Sequence, residues 1–249
     1  MIVIHPLASI SEVRPGGDLV AILGDALAKL DLRPDDVLVV TQKIVSKAED
    51  RFVDLKGVTP GPEATRLAEI TGKDPRLVEL VLAESTAVIR AVPNVLITRH
   101  RCGFVMANAG IDRSNLGAGD ADRVLLLPED ADASADRLRR GLAARFGRAP
   151  AIVISDSFGR PWRNGVVSVA IGASGLPSLI DKRGEPDRDG RLLKVTQVAM
   201  SDMIATAAGL ATGEGAEGVP AALVQGVSWP PGSTPASALI RPIEEDLFR

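Results

Sequence analysis

The stretch TAVIRAVPNVLITRH, residues 86–100, carries two runs rich in Val and Ile on either side of Pro93 and Asn94. β-Branched residues favour extended backbone and Pro-Asn is turn chemistry, so the segment reads as two paired strands. Hairpin-like pairing of this kind excludes a purely alternating strand–helix pattern built on one parallel sheet. The chain is therefore expected to be α+β, with mixed sheets and flanking helices in two closely connected lobes.

Outward from this hairpin, helix and strand patterns alternate with no clean linker and no internal repeat. Just upstream, PEATRLAEI (62–70) and PRLVELVLAES (75–85) read as short helices, each opened by a proline that first-turn geometry tolerates. GGDLVAILGDALAKL (16–30) places Leu19, Ile22, Leu23, Ala26, Leu27 and Leu30 on one face and predicts an amphipathic helix. DVLVVTQKIVSKAE (36–49) predicts a buried strand running into a polar segment. Downstream, ADRLRRGLAARFG (135–147) repeats Leu138, Leu142 and Phe146 at helical spacing and stops at a glycine, as a capped helix does. APAIVIS (149–155) predicts a buried strand, TQVAMSDMIATAAGLATG (196–213) the last helix and PAALVQG (220–226) the last strand. The tail continues as an extended Pro/Ser-rich piece, WPPGSTPASA (229–238), and an amphiphilic end, IRPIEEDLFR (240–249). Its Ile240, Ile243, Leu247 and Phe248 predict packing on the chain's own subunit or on a neighbour.

Composition narrows the function classes. The 249 residues are 45% hydrophobic, enough for a sizeable core. A net charge of −3 with scattered Lys and Arg argues against nucleic acid or a membrane surface as partner. Cys102 is the only cysteine, which excludes an internal disulfide and a cysteine zinc site and suits a reducing cytoplasm. MIVIHPLASISEV lacks the basic region and long apolar core of a signal peptide, and no run reaches transmembrane length.

Three stretches carry chemistry. GEGAEG (213–218) has the glycine spacing of dinucleotide-binding loops at Gly213, Gly215 and Gly218, but here a helix ends at the loop and a strand follows. That reversed order turns the helix N-terminus away from a ligand and excludes the Rossmann reading, while leaving backbone N–H groups able to wrap phosphate. No P-loop motif exists, so any nucleotide must be held by another scaffold. ANAGIDRSN (107–115) puts Asp112 and Asn115 among small residues, and IVISDSFGRPWRNG (152–165) puts Asp156 and Ser157 directly after a buried strand, at what reads as its end. Singly, these are turn residues, a helix cap, or an ion pair of Asp156 with Arg160 or Arg163. Together they form a hard-oxygen set suited to Mg²⁺ or Mn²⁺. His5 and His100 have no nucleophile beside them in sequence, so a catalytic triad is not expected. Lys43 and Lys47 could neutralise phosphate or simply be solvated, Arg160 and Arg163 could clamp an anion or pair with acids, and the default for Trp162 is packing.

Read together, VVTQKIVSKAE, GFVMANAGIDRSN, LLLPEDADASADRLR, ISDSFGRPWRNG, AIGASGL, KRGEPDRDGRLLKVT and RPIEEDLFR resemble the coenzyme F420-0:L-glutamate ligase family, the gamma-glutamyl ligases of deazaflavin biosynthesis. The likeness runs through almost the whole chain in order. It implies one ligase domain over residues 1–249, without the nitroreductase-like extension of some relatives, and a homodimer. It also implies that GTP phosphorylates the lactyl carboxylate of F420-0 and that the amine of L-glutamate attacks the acyl phosphate, with Mg²⁺ or Mn²⁺ and K⁺ assisting. By the same likeness Asp112 and Asp156 are catalytic and hold one metal, Ser157 approaches a second, and Glu214 falls where relatives place a metal-contacting Gln or Glu. Gln42, Lys47 and Asn115 would contact the nucleotide, and Ile10, Ser11, Glu12 and Val13 its guanosine. The chain departs from the family pattern at Ser11, Gln42, Ser157 and Met203. A homologue that binds nucleotide or F420 without ligating is the alternative, as is a ligase for a related deazaflavin acceptor.

Overall fold

The computed structural model describes residues 1–116 and 122–246. The first half of the chain runs β1 (Val3–Pro6), α1 (Leu19–Leu27), β2 (Val37–Thr41), α2 (Gln42–Ala48), β3 (Phe52–Asp54), α3 (Pro62–Thr71), α4 (Pro75–Ala83), β4 (Ser85–Val92), β5 (Val95–His100) and β6 (Val105–Ala107). The second half runs β7 (Arg123–Leu125), α5 (Ala131–Phe146), β8 (Ala151–Arg160), β9 (Arg163–Ser174), β10 (Leu179–Asp181), β11 (Gln197–Ala199), α6 (Met200–Thr212) and β12 (Ala221–Gln225). Short 3-10 turns join several of them.

A mixed sheet in the order β1-β12-β2-β8-β9 forms the centre. Only β2 and β8 run parallel, and every other neighbouring pair is antiparallel. The uninterrupted apolar runs of β2 and β8 follow from coverage on both faces. Alternate residues serve opposite sides: Leu38 and Val40 join the core under α1 and α5, while Val37 and Val39 join the core under α6. A third core, with Leu67, Val78, Val81, Leu96 and Val124, lies beneath α3 and α4. Beside it stands the antiparallel sheet β4-β5-β6. Its first two strands are the expected hairpin, with Val92 opposite Val95 and Asn94 at φ 66° in the turn. The α+β architecture read from the sequence is the one observed.

Local chemistry explains the helix ends. Pro62 and Pro75 occupy the first turns of α3 and α4, and Gly147 ends α5 in the left-handed region. α5 starts earlier than its apolar spacing predicts, at Ala131, because Asp130 caps it by accepting from the Ala133 N–H. In the tail, Ile240 lies over Gly103 of the same chain, while Leu247 and Phe248 fall outside the described residues. Among the described residues no helix is long and apolar enough to cross a membrane.

Two expectations need correction. The polar segment after β2 is the helix α2, and its polar residues are packed inside: Gln42 and Lys47 are only 3% and 4% exposed. The strand containing Ile152–Ile154 does not end before Asp156. β8 continues to Arg160, turns through Pro161 and Trp162, and returns as β9, with Asp156 opposite Val169 and Arg160 opposite Arg163. What ends there is its neighbour, since the last pair between β2 and β8 is Thr41 with Ser155. Asp156 is thus the first residue of β8 beyond that parallel pairing.

Candidate active site

The step where β2 stops and β8 continues opens into a cavity of about 1090 Å³. Its walls come from residues 10–13, α2, the stretch from β6 to Asn115, the β8–β9 hairpin and the loop between α6 and β12. Every residue singled out from the sequence as metal- or nucleotide-binding lines it, although they come from five separated segments. Met203 does not line it. Met203 is exposed on α6, and nothing in the structure explains its departure from the family pattern.

Asp112 is fixed by its backbone, which exchanges two 2.9 Å hydrogen bonds with Leu125 at the end of β7. Its Oδ2 accepts from Gln42 Nε2 at 2.8 Å and lies 3.4 Å from Lys43 Nζ. Gln42 is itself oriented, because Ser46 Oγ donates to its Oε1 at 2.9 Å. Burial raises the proton affinity of Asp112, opposed by Lys43 and Gln42 and reinforced by the charge of Glu214. Asp156 is affected more strongly. Burial first, then the negative charge of Asp112, push its carboxyl up to about 7, against the pull of the Ser157 N–H and Lys43. Neither Arg160 nor Arg163 pairs with it: the Arg160 guanidinium donates to the Asn164 carbonyl at 3.1 Å, and neither arginine meets a carboxylate among the described residues.

The lysines of α2 are not solvated bystanders. Lys47 Nζ donates to the Glu12 carboxylate and, at 2.8 Å, to the Asn115 carbonyl. Lys43 Nζ reaches the carbonyl and hydroxyl of Ser114 at 3.2 and 3.3 Å. Asn115, in left-handed backbone at φ 59°, turns its Nδ2 to the Gly215 carbonyl at 3.3 Å and so links two walls.

The glycine-rich loop follows α6 and precedes β12, which is the order that excludes a dinucleotide fold. Gly213 turns the chain at φ 71°, ψ 179°, and Glu214 then faces β8, where the Ser157 hydroxyl lies 2.8 and 2.7 Å from its two oxygens. Glu217, which sequence reasoning passed over, folds back and accepts from the Gly215 N–H at 2.7 Å. The repeated acidic residue in GEGAEG was the available signal.

At the hairpin tip Trp162 is 90% exposed, so the expectation that it packs is overturned. It also holds φ 63°, following Pro161 as in a type II turn, where glycine or asparagine is usual. A bulky residue there costs about 1–2 kcal/mol, and such strain is found where function retains it. The histidines stay apart from this cavity: His5 Nε2 lies 2.9 Å from Gln225 Oε1, and His100 faces Glu84.

A divalent ion is the natural neutraliser of these carboxylates. Among the described residues no three His, Cys, Asp or Glu side chains form a ready-made metal cage. Mg²⁺ does not need one, since it commonly takes one or two carboxylates and completes its shell with water and substrate phosphate. Asp112 and Asp156, with Ser157 and Glu214 beside them, fit that requirement. Burial first, and then repulsion from Asp112, lift Asp156, and a cation would offset both.

The chain matches the F420-0:Gamma-glutamyl ligase family over residues 8–226. It is 44% identical to the coenzyme F420:L-glutamate ligase of Methanopyrus kandleri over 99% of this chain and 97% of the relative. The protein of the same name from Methanothermobacter thermautotrophicus is 43% identical over 95% and 94%. That from Halobacterium salinarum is 44% identical over 86% and 83%.

Proposed function

The chain belongs to the F420-0:gamma-glutamyl ligase family, and from that premise we propose that it is a GTP-dependent amide ligase of coenzyme F420 biosynthesis. It joins the amine of L-glutamate to the lactyl carboxylate of F420-0 through an acyl phosphate, and further glutamates follow through gamma linkages. The observation that carries the reading is the convergence of Asp112, Asp156, Ser157 and Glu214 with Lys43 and Lys47 in one cavity whose volume, about 1090 Å³, suits two substrates side by side.

The chemistry asks for positioning and charge balance more than for a nucleophilic side chain. An oxygen of the acceptor carboxylate bonds to the γ-phosphorus of GTP as the bond to GDP breaks. The glutamate amine then bonds to the acyl carbon, and inorganic phosphate leaves with the bonding pair while the amine proton passes to phosphate or solvent. Phosphoryl transfer of this kind depends on counter-charge and alignment. Lys43 supplies positive charge beside Asp112, and Lys47, paired with Glu12, supplies it on the adjoining wall of the cavity. Gln42 holds Asp112 in place, and Gly213, Gly215 and Gly218 line the cavity beside them, with the N–H groups of Gly213 and Gly215 already engaged by the Gly209 carbonyl and the Glu217 carboxylate. Residues Ile10, Ser11, Glu12 and Val13 form the wall assigned to guanosine, and Asn115 ties that side to the loop. Asp112, Asp156, Ser157 and Glu214 would hold Mg²⁺ or Mn²⁺, with K⁺ as an accompanying ion, and the metal would neutralise charge on the transferred phosphoryl group.

We read the chain as a single ligase domain acting in the cytoplasm as a homodimer. The direct test incubates the protein with F420-0, GTP, Mn²⁺ and L-glutamate and weighs the product. A product heavier by a glutamyl residue, formed with GTP in preference to ATP, is expected. Bound nucleotide or F420-0 without any mass gain would favour the non-ligating homologue instead.

A further inference from the structure

The tip of the β8–β9 hairpin holds three side chains, Arg160, Trp162 and Arg163, that meet no carboxylate among the described residues. Beyond Ser155 the hairpin leaves β2 and projects along the cavity as a two-stranded finger. From Ser157 to Ser168 it contains Arg160 and Arg163 and no acidic residue. The Arg163 side chain has no hydrogen-bond or ion-pair partner among the described residues. Arg160 has only the Asn164 carbonyl, and its Nε is buried without a partner. The exposed indole of Trp162 lines the same cavity as the exposed apolar side chains Val95, Val105 and Val166.

An indole in water beside apolar side chains offers a face to a flat ring, and unpaired guanidiniums offer forked donors to phosphate or carboxylate. We infer that this finger recognises the acceptor: Trp162 stacks on a planar aromatic ring, and Arg160 and Arg163 pair with anionic groups on the chain that joins the ring to its reacting carboxylate. The inference rests on the ligase reading and deepens it by assigning the acceptor to one part of the cavity. Dimensions agree. The strand from Asp156 to Arg160 spans about 13 Å at ~3.3 Å per residue, so a ring held at the tip leaves a linker of that length to reach Asp112 and Asp156. The polyphosphate has its own counter-charge in Lys43 on α2, next to Asp112.

The test titrates the full chain separately with F420-0 and with GTP, reading indole emission and steady-state kinetics. F420-0 is expected to quench the emission of the unmodified protein, and Trp162→Phe, which leaves only Trp229, is expected to lose most of that quench. Trp162→Ala should raise the acceptor KM about tenfold, and Trp162→Phe should restore most of the affinity. Arg163→Ala should also raise the acceptor KM about tenfold, while the GTP KM moves by less than about twofold in each variant. A GTP-dependent quench that disappears in Trp162→Phe, or a GTP KM that rises alone, would put the nucleotide base on the finger and overturn the inference. Unchanged emission with both KM values unchanged would make the finger a solvated turn, and would overturn it too. Product mass measured alongside separates the two levels: no glutamyl product from the unmodified protein sinks the ligase reading, while the F420-0 titration still decides the finger.

Discussion

The Ser157 hydroxyl lies 2.8 and 2.7 Å from the two carboxylate oxygens of Glu214, tying β8 to the glycine-rich loop. The contact is exposed, so its loss in Ser157→Ala should change stability by less than about 1 kcal/mol. Activity should fall roughly tenfold to a hundredfold, as for groups that hold or orient a metal. Ser157→Thr, which keeps the hydroxyl, should retain most of it. Thermal melts and kcat/KM on the same preparations decide the matter, and an equal loss of stability and turnover would mark the contact as structural.

Asp156→Asn should behave unusually. In the folded protein this carboxyl is pushed up to about 7 from an ordinary 3.8, so the folded state keeps a proton that the unfolded chain releases. The stability this gives is full below the unfolded value and is lost as pH rises through the folded one. In chelator-treated protein the variant should therefore gain on wild type as pH is raised from about 5 to about 8. Added Mg²⁺ should reverse the order by stabilising wild type alone, and turnover of the variant should collapse. Calorimetry across pH with and without Mg²⁺ gives the answer. A difference that is flat in pH and blind to metal would remove Asp156 from the proposed metal site.

Two neighbouring glycines should respond unequally to alanine. Gly213 occupies backbone open only to glycine, and a Cβ there would sit 2.3 Å from Glu217 Cδ. Gly213→Ala should cost about 1–3 kcal/mol and displace Glu214. At Gly215 the nearest atom to an added Cβ is 3.4 Å away, and the change should stay within about 0.5 kcal/mol. Equal melting temperatures for the two variants would contradict this account of the loop.

Away from the cavity, Glu84 gathers three cationic or protonatable groups: Arg51 and Arg101 at 3.3 Å and His100 at 3.5 Å. The His100 contact, with help from Arg101 and Arg51, holds its carboxyl below the ordinary 4.5 despite burial. Its stabilisation is present above 4.5 and is lost as pH falls through the lowered folded value. Glu84→Gln should cost about 2 kcal/mol near neutrality, because three partners lose a counter-charge in a half-buried site. Turnover per folded molecule should hold. Denaturant melts at neutral and acid pH would show the difference shrinking in acid.

Elements with strong periodicity were legible in the chain. Helix α5 with its glycine stop, the proline-opened pair α3 and α4, and the strands across Pro93 and Asn94 all follow from local spacing. The hairpin of β8 and β9 was not. SDSFGRPWRNG has no apolar alternation, because that part of the hairpin runs past the end of β2 and faces the cavity, and its Pro161-Trp162 turn lacks the glycine or asparagine that signals one. α2 was hidden for the opposite reason. QKIVSKA reads as polar surface, but Gln42, Ser46 and Lys47 are buried because they hold one another, Asp112, Glu12 and Asn115. Which polar residues meet across a hundred positions of chain, as Asn115 and Gly215 do, is decided by tertiary packing.

The acyl phosphate is the central claim, and an isotope tests it most directly. F420-0 carrying heavy oxygen in its terminal carboxylate should yield, with GTP and L-glutamate, inorganic phosphate containing one heavy oxygen atom for every amide bond formed. Glutamylated product accompanied by unlabelled phosphate would contradict the mechanism, because the carboxylate oxygen would then never have been bonded to the γ-phosphorus.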